Sequence, residues 1–194
     1  DSTKVAVRNG TGTVSNANVV SISEKYDLAI LELEKPYPKK FAISSKNFES
    51  PVAGADVISI GYPGIGITFE QPTITQGIIS KVFNDDEGIF LTTAAINSGN
   101  SGGPIFNLDG KLVGVSFAAL DKAGLFEKTG ILPTDMGYAI KSTMIKKVFK
   151  HKKSIQTKKT KYSKAAIYEK MLPSVVLVVV SIPESKWISK KPKK

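Results

Sequence analysis

The sequence predicts an all-β fold, a barrel or a sandwich, and three observations carry that prediction. Short β-type runs recur through the first 140 residues, turn signals separate them, and helical periodicity is almost absent. Residues 4–8 (KVAVR) alternate and run into Asn9-Gly10, a dipeptide suited to a tight hairpin turn. Residues 14–23 are rich in β-formers, and 28–33 (LAILEL) alternate apolar and polar side chains. Residues 56–60, 73–82, 88–91, 104–107 and 112–117 extend the series. Turns are expected at Gly61-Tyr62-Pro63-Gly64, Asn84-Asp85-Asp86 and Leu108-Asp109-Gly110. A helix is expected at 142–150, where Met144, Ile145, Val148 and Phe149 form one apolar stripe. A helical turn or two at 165–171 and, after Pro173, a β-type run at 174–182 complete the reading.

Composition narrows the function classes. With 194 residues, 41% of them hydrophobic, the chain can bury a sizeable core in one domain plus an extension. It holds no cysteine and one histidine, which excludes disulfide scaffolds, thiolate-ligated zinc and multi-histidine metal centres, so neither metal nor cofactor is expected. The longest apolar run, around 175–180, falls far short of the roughly 20 residues of a membrane span. The net charge of +10 belongs to the C-terminal end: residues 141–194 carry +14 and residues 1–140 carry −4. Nearly all the basic side chains are lysines, which lack the planar fork that reads bases or clamps phosphates. Weak, non-specific polyanion contact through this lysine-rich tail is the most that the charge implies.

One stretch carries chemistry. In 92–104 (TTAAINSGNSGGP) a serine stands between glycines, ahead of Gly-Pro. A serine nucleophile needs a sharp turn with backbone N–H groups aimed at the oxygen that becomes negative during acyl transfer. Glycines at 99, 102 and 103 allow such a backbone and leave room for a substrate chain. The plain alternative is a glycine-rich turn with an incidental serine. A second stretch, 26–32 (YDLAILE), places Asp27 at the head of an apolar strand. Alone this reads as a strand-capping acid; beside a nucleophilic serine it also reads as the buried carboxylate that orients a histidine.

The order Asp27-Leu28-Ala29, then Gly99-Asn100-Ser101-Gly102-Gly103-Pro104, resembles the trypsin-like serine peptidases, in particular the HtrA/Deg branch. The stretches 55–63 (ADVISIGYP), 75–80 (TQGIIS), 107–115 (NLDGKLVGV) and 137–140 (GYAI) are similar to further blocks of that branch. The resemblance spans about residues 3–150 and implies a chymotrypsin-like double β-barrel with a cleft between the barrels. It implies Ser101 as nucleophile, Asp27 as third triad member, and the N–H groups of Gly99 and Ser101 as oxyanion hole. Ala95, Ile96 and Asn97 would border the pocket for the side chain before the scissile bond. Val115, Ser116 and Phe117 would line its other side as the strand that pairs with an extended substrate. With no carboxylate at the pocket floor, a hydrophobic side chain is favoured there. Polypeptide substrates follow from the resemblance, as does a periplasmic or secreted location, and homo-oligomers are compatible with it.

The sequence departs from the family at the general base. Family members carry a histidine upstream of the aspartate, in a T-x-x-H-V block, whereas the single histidine here is His151, in a lysine run. A cationic neighbourhood disfavours the imidazolium that the mechanism needs, so His151 reads as a lone exposed histidine. Two explanations stand: residues preceding Asp1 carry the base, which is the expectation adopted, or the chain is a pseudopeptidase that binds peptides in the same cleft. The chain as given is expected to show little turnover. The expected organisation is a peptidase domain at 1–150 with an N-terminally incomplete first barrel and a C-terminal helix, then a basic linker at 151–164. A β-prone segment follows at 165–194. Residues 166–176 (AIYEKMLPSVV) resemble the way HtrA-like domains begin, so the segment reads as the start of a second copy, as a strand folded back onto the first barrel, or as a β-prone tail alone.

Overall fold

The alternation in the sequence becomes strands at nearly the expected bounds in a computed structural model, which describes residues 4–38, 43–63, 71–84, 87–119, 136–148 and 161–181. The expected helix end at 149–150, His151 and most of the basic linker, the tail beyond 181, Gly64 and Asp85-Asp86 lie outside the described residues. The described residues form ten strands: β1 (Lys4–Asn9), β2 (Val14–Ser23), β3 (Leu28–Leu33), β4 (Asp56–Gly61), β5 (Thr73–Val82), β6 (Ile89–Thr92), β7 (Pro104–Asn107), β8 (Leu112–Ala119), β9 (Gly137–Lys141) and β10 (Val176–Ser181). After the barrel strands come the described helices α1 (Ser142–Val148) and α2 (Lys164–Met171).

The strands form two bodies. Strands β4 to β9 close into a six-stranded barrel in the order β4-β5-β6-β9-β8-β7, every pairing antiparallel. Strands β10-β1-β2-β3 form an open four-stranded antiparallel sheet, so the expected first barrel is present as a sheet with two edges. Closure turns the inward side chains of the six strands against one another, and Val57, Ile79, Phe90, Ile105, Val113 and Ala139 make a dry barrel core. A second cluster lies outside the barrel wall, where Ile58, Ile60 and Phe106 meet Ile167 and Met171 of α2 and Val175 before β10.

The helix–strand unit that follows the linker therefore packs on both bodies. Ser163 caps α2, its hydroxyl accepting from the Ala166 N–H at 3.1 Å. The Tyr162 N–H donates to the Leu108 carbonyl at 2.9 Å, which places residues 162 and 163 in ordered contact with the barrel, short of the expected linker end at 164. Strand β10 pairs with β1 in one unbroken register from Lys4↔Ser181 to Asn9↔Val176. The β1–β2 connection differs from the tight turn expected at Asn9-Gly10. The Asn9 side-chain oxygen accepts from the Thr11 and Thr13 N–H groups and the Thr11 hydroxyl, which widens the loop and moves the positive φ to Gly12. No described helix is long and apolar enough to cross a membrane.

Candidate active site

Between β6 and β7 the chain makes the loop that contains Ser101, and its start is fastened to β5. The Thr93 N–H donates to the Ile78 carbonyl at 3.0 Å, and the Thr93 hydroxyl accepts from the Ile78 N–H at 2.9 Å. A Cβ at Gly77 would lie 2.2 Å from the Ala94 nitrogen, so this approach requires glycine. Ile96 then turns into the barrel core, and Asn97 to Asn100 make a turn closed by the Asn100 N–H on the Asn97 carbonyl at 2.9 Å. Gly99 holds φ +94 in the third place of that turn. A positive φ there marks a type II turn, in which the central peptide is flipped relative to type I and the Gly99 N–H faces the opposite way.

The hydrogen bonds of residues 99–103 divide sharply. The N–H groups of Asn100, Gly102 and Gly103 donate to Asn97, Ser116 and Asn100 at 2.9, 2.7 and 2.8 Å. Those of Gly99 and Ser101, the two expected to form the oxyanion hole, donate to no acceptor among the described residues. Both residues are exposed and line a cleft of about 630 Å³. The Ser101 hydroxyl donates to the Phe117 carbonyl at 3.2 Å, and no histidine lies among the described residues to take its proton.

Two polar residues behind the loop hold it in place. Asn100 is 2% exposed and packs against Gly61, where a Cβ would meet its Oδ1 at 2.7 Å. Ser116, fully buried, donates its hydroxyl to the Asn100 carbonyl at 2.5 Å, and its own N–H donates to the Gly103 carbonyl at 2.9 Å. The sequence marked Ser116 as a cleft residue and overlooked Asn100. A polar side chain inside a Gly-Asn-Ser-Gly-Gly run, with no charge to compensate, was the available signal.

The remaining expected residues separate into those at the cleft and those away from it. Val115 lines the cleft with Tyr62, Leu112 and Pro104. Ile96 is buried in the core, Ala95 is held by its carbonyl accepting from the Thr75 hydroxyl at 3.1 Å, and neither lines the cleft; Asn97 is exposed and does not line it either. Residues 115 and 116 of β8 pair with β9 on one side, and on the other Val115 pairs with Pro104. Both backbone groups of Ser116 are taken by Gly102 and Gly103, so they cannot pair with a substrate strand. Phe117 presents its carbonyl at Ser101.

Asp27 closes a short 3-10 turn, Glu24–Tyr26, at the head of β3, its N–H donating to the Glu24 carbonyl at 3.4 Å. It has φ +48, the one positive φ at a non-glycine residue among those described. Its carboxylate is exposed, not buried, because β3 is an edge of the sheet, and it does not line the Ser101 cleft. Within the cleft wall, the Tyr62 hydroxyl is buried without a hydrogen-bond partner among the described residues. Burial pushes its phenol above the usual tyrosine range; nearby Arg8 works in the opposite direction, and Tyr168 and Tyr37 add to the rise. No group of acidic or histidine side chains among the described residues could hold a metal ion.

Similar proteins agree on the architecture. The family model for the trypsin-like peptidase domain matches residues 1–115. A probable periplasmic serine endoprotease, DegP-like, from Chlamydia pneumoniae is 32% identical over 157 residues, covering 76% of this chain and 29% of the relative. A protein of the same description from Rickettsia conorii is 33% identical over 158 residues, covering 77% of this chain and 29% of its own length. In three dimensions the crystal structure of the serine endoprotease from Yersinia pestis matches with a TM-score of 0.55 at 28% identity, over 76% of this chain and 53% of that one. The chain thus spans less than a third of these curated relatives and about half of the solved chain.

Proposed function

This chain belongs to the family of trypsin-like peptidase domains, in its HtrA/DegP branch, and on that premise we propose that Ser101 is the nucleophile of a serine endopeptidase acting on unfolded or extended polypeptides. One observation carries the proposal: the Gly99 and Ser101 amides have no acceptor among the described residues, while their three neighbours in the loop are all engaged. In the reaction the Ser101 oxygen attacks the scissile carbonyl carbon, and the oxygen of that carbonyl becomes negative between those two N–H groups. A base takes the serine proton and returns it to the departing amine; water then releases the acyl group by the same steps in reverse. Asp27 is the group that would orient an imidazole base. Its left-handed backbone, unusual outside glycine, is the kind of local strain that collects at functional positions. The apolar lining of the cleft supports a hydrophobic side chain on the substrate, with the Phe117 carbonyl as its first backbone partner.

The base is the incomplete part. These 194 residues contain His151 as their one histidine, so the chain by itself is expected to bind peptides with little turnover. A second reading, a peptide-binding pseudopeptidase, is favoured by the Ser101 hydroxyl donating to the Phe117 carbonyl instead of to a base. A fluorophosphonate probe separates the two in the full-length gene product. Labelling at Ser101 that vanishes in Ser101→Ala supports the peptidase; a folded full-length product that stays unlabelled leaves the binding module. A periplasmic or secreted location is carried over from the names of relatives called periplasmic.

A further inference from the structure

The closed barrel supplies a ruler for the open sheet. Numbering the barrel strands by chain order, β4 to β9 are first to sixth, and one way round the ring reads first, fourth, fifth, sixth. The open sheet reads β10, β1, β2, β3, and its last three strands are consecutive in the chain, as β7, β8 and β9 are. By this comparison β10 occupies the place that β4 holds in the barrel. A first strand is therefore supplied by the last described strand, from a segment beyond the 115 residues that the family model matches.

The place is fitted to its occupant. The Gly10 N–H donates to the carbonyls of Leu172 and Val175 at 3.0 and 3.1 Å, and a Cβ on Gly10 would lie 2.6 Å from the Leu172 oxygen. Asn9, fully buried, donates its side-chain amide to the Pro173 carbonyl at 3.3 Å. On the barrel side the Tyr168 hydroxyl donates to the Pro72 carbonyl at 2.5 Å, and the Lys164 ammonium donates to the Gln76 side chain. Once seated, the unit borders the Ser101 cleft with Ser174, Val176, Leu177 and Val178. A second cavity of about 630 Å³, under the open sheet, shares Ile43, Ser174 and Val176 with that cleft, so an apolar trough continues past the nucleophile.

We propose that residues 163–181 are a cis-docking helix–strand unit that fills the first-strand place of the open sheet and, by doing so, builds the second wall of the peptide cleft at Ser101. The docking stands on the pairing and packing alone; the dependence of peptide binding on it rests on the function proposed above.

The chain has no cysteine, so the pairing can be locked cleanly. Ala6 and Val179 are register partners, and either kind of antiparallel pair lies within the Cα separation that a disulfide spans. Ala6→Cys with Val179→Cys in the full chain should oxidise to an intrachain disulfide. No disulfide, or one joining two chains, overturns docking in cis. Binding is read by the anisotropy of a fluorescein-labelled peptide rich in valine and leucine. Gly10→Val, which drives a side chain into the Leu172 carbonyl, should weaken binding about tenfold, the cost of losing one valine-sized contact. Oxidation of the Gly10→Val chain carrying both cysteines should restore binding, and reduction should abolish it again. Val178→Asp, at the cleft, should weaken the same peptide by about tenfold, whereas Val180→Asp, further along the strand and outside the cleft lining, should not. Equal affinities for these two variants would remove β10 from the cleft wall. If the unaltered chain binds no peptide while the disulfide forms, the docking holds and the peptide-cleft reading, with the dependence drawn from it, is overturned.

Discussion

The closed barrel and the open sheet are built from the same kinds of strand, yet they treat apolar side chains differently. In the barrel Ile58, Ile60, Ile79, Phe90, Ile105 and Phe106 are all at 0% exposure. In the sheet Val14, Val19, Val20 and Ile22 of β2, and Val178, Val179 and Val180 of β10, stand between 46% and 68% exposed. Closing a ring gives every strand two neighbours and one dry interior; an open sheet leaves two edges and part of its apolar surface in water. The Ser101 loop grows from the closed body, where its backbone can be held rigid. Asp27 sits at the head of an edge strand of the open one, with no described strand beyond it to bury the carboxylate.

Four substitutions would break or sharpen this contrast. The largest effect is expected in the barrel core, where Phe90→Ala should cost about 3–5 kcal/mol by urea unfolding, since the cavity it leaves is walled on all sides. A loss below that of an ordinary surface change would mean the barrel is not the rigid half. Next, Ser116→Ala removes the hydroxyl that holds the Asn100 carbonyl and should cost about 1–2 kcal/mol. Hydrogen exchange should localise that loss to 97–103, not to the sheet. Third, Tyr62→Phe deletes a buried, unpartnered hydroxyl at the seam of the two bodies and should raise stability by about 1 kcal/mol at neutral pH. The folded phenol ionises at higher pH than the unfolded one. Stability is therefore unaffected by this ionisation below about pH 10 and falls as pH rises through the raised value. The alkaline fall in the urea midpoint should accordingly flatten in Tyr62→Phe. Smallest, Val19→Thr on the exposed sheet face should stay within about 0.5 kcal/mol, the ordinary surface range. A larger loss would show that the face is covered.

Local pattern made much of this legible. The bounds of β2, β3, β5 and β7 are readable from alternation and turn residues, and the start of α1 from its apolar stripe, because those signals lie within a few residues of one another. The Ser101 loop was legible from its glycines. Strand β9 was weaker: five residues carry little alternation, and only the Gly-Tyr-Ala-Ile resemblance drew attention to them. The fastening of the loop was not legible, because Asn100 and Ser116 meet across fifteen intervening residues and a serine in a strand looks the same wherever its hydroxyl points. The Asn9-Gly10 pair points to a turn, but the lack of a side chain at Gly10 serves the approach of Leu172 from far along the chain.

The sequence by itself determined the residue chemistry and the local shape. It set which stretches extend, where a serine stands among glycines, that the chain has one histidine, and that its positive charge gathers at one end. Tertiary structure decided which edges meet, that one ring closes while the other sheet stays open, and that β10 lies beside β1. The physical reason is that every strand edge offers the same row of N–H and C=O groups. The choice of partner is made by distant side-chain packing, here Ile167, Met171 and Val175 against the barrel wall, and that packing leaves no trace in the residues next to the edge it selects.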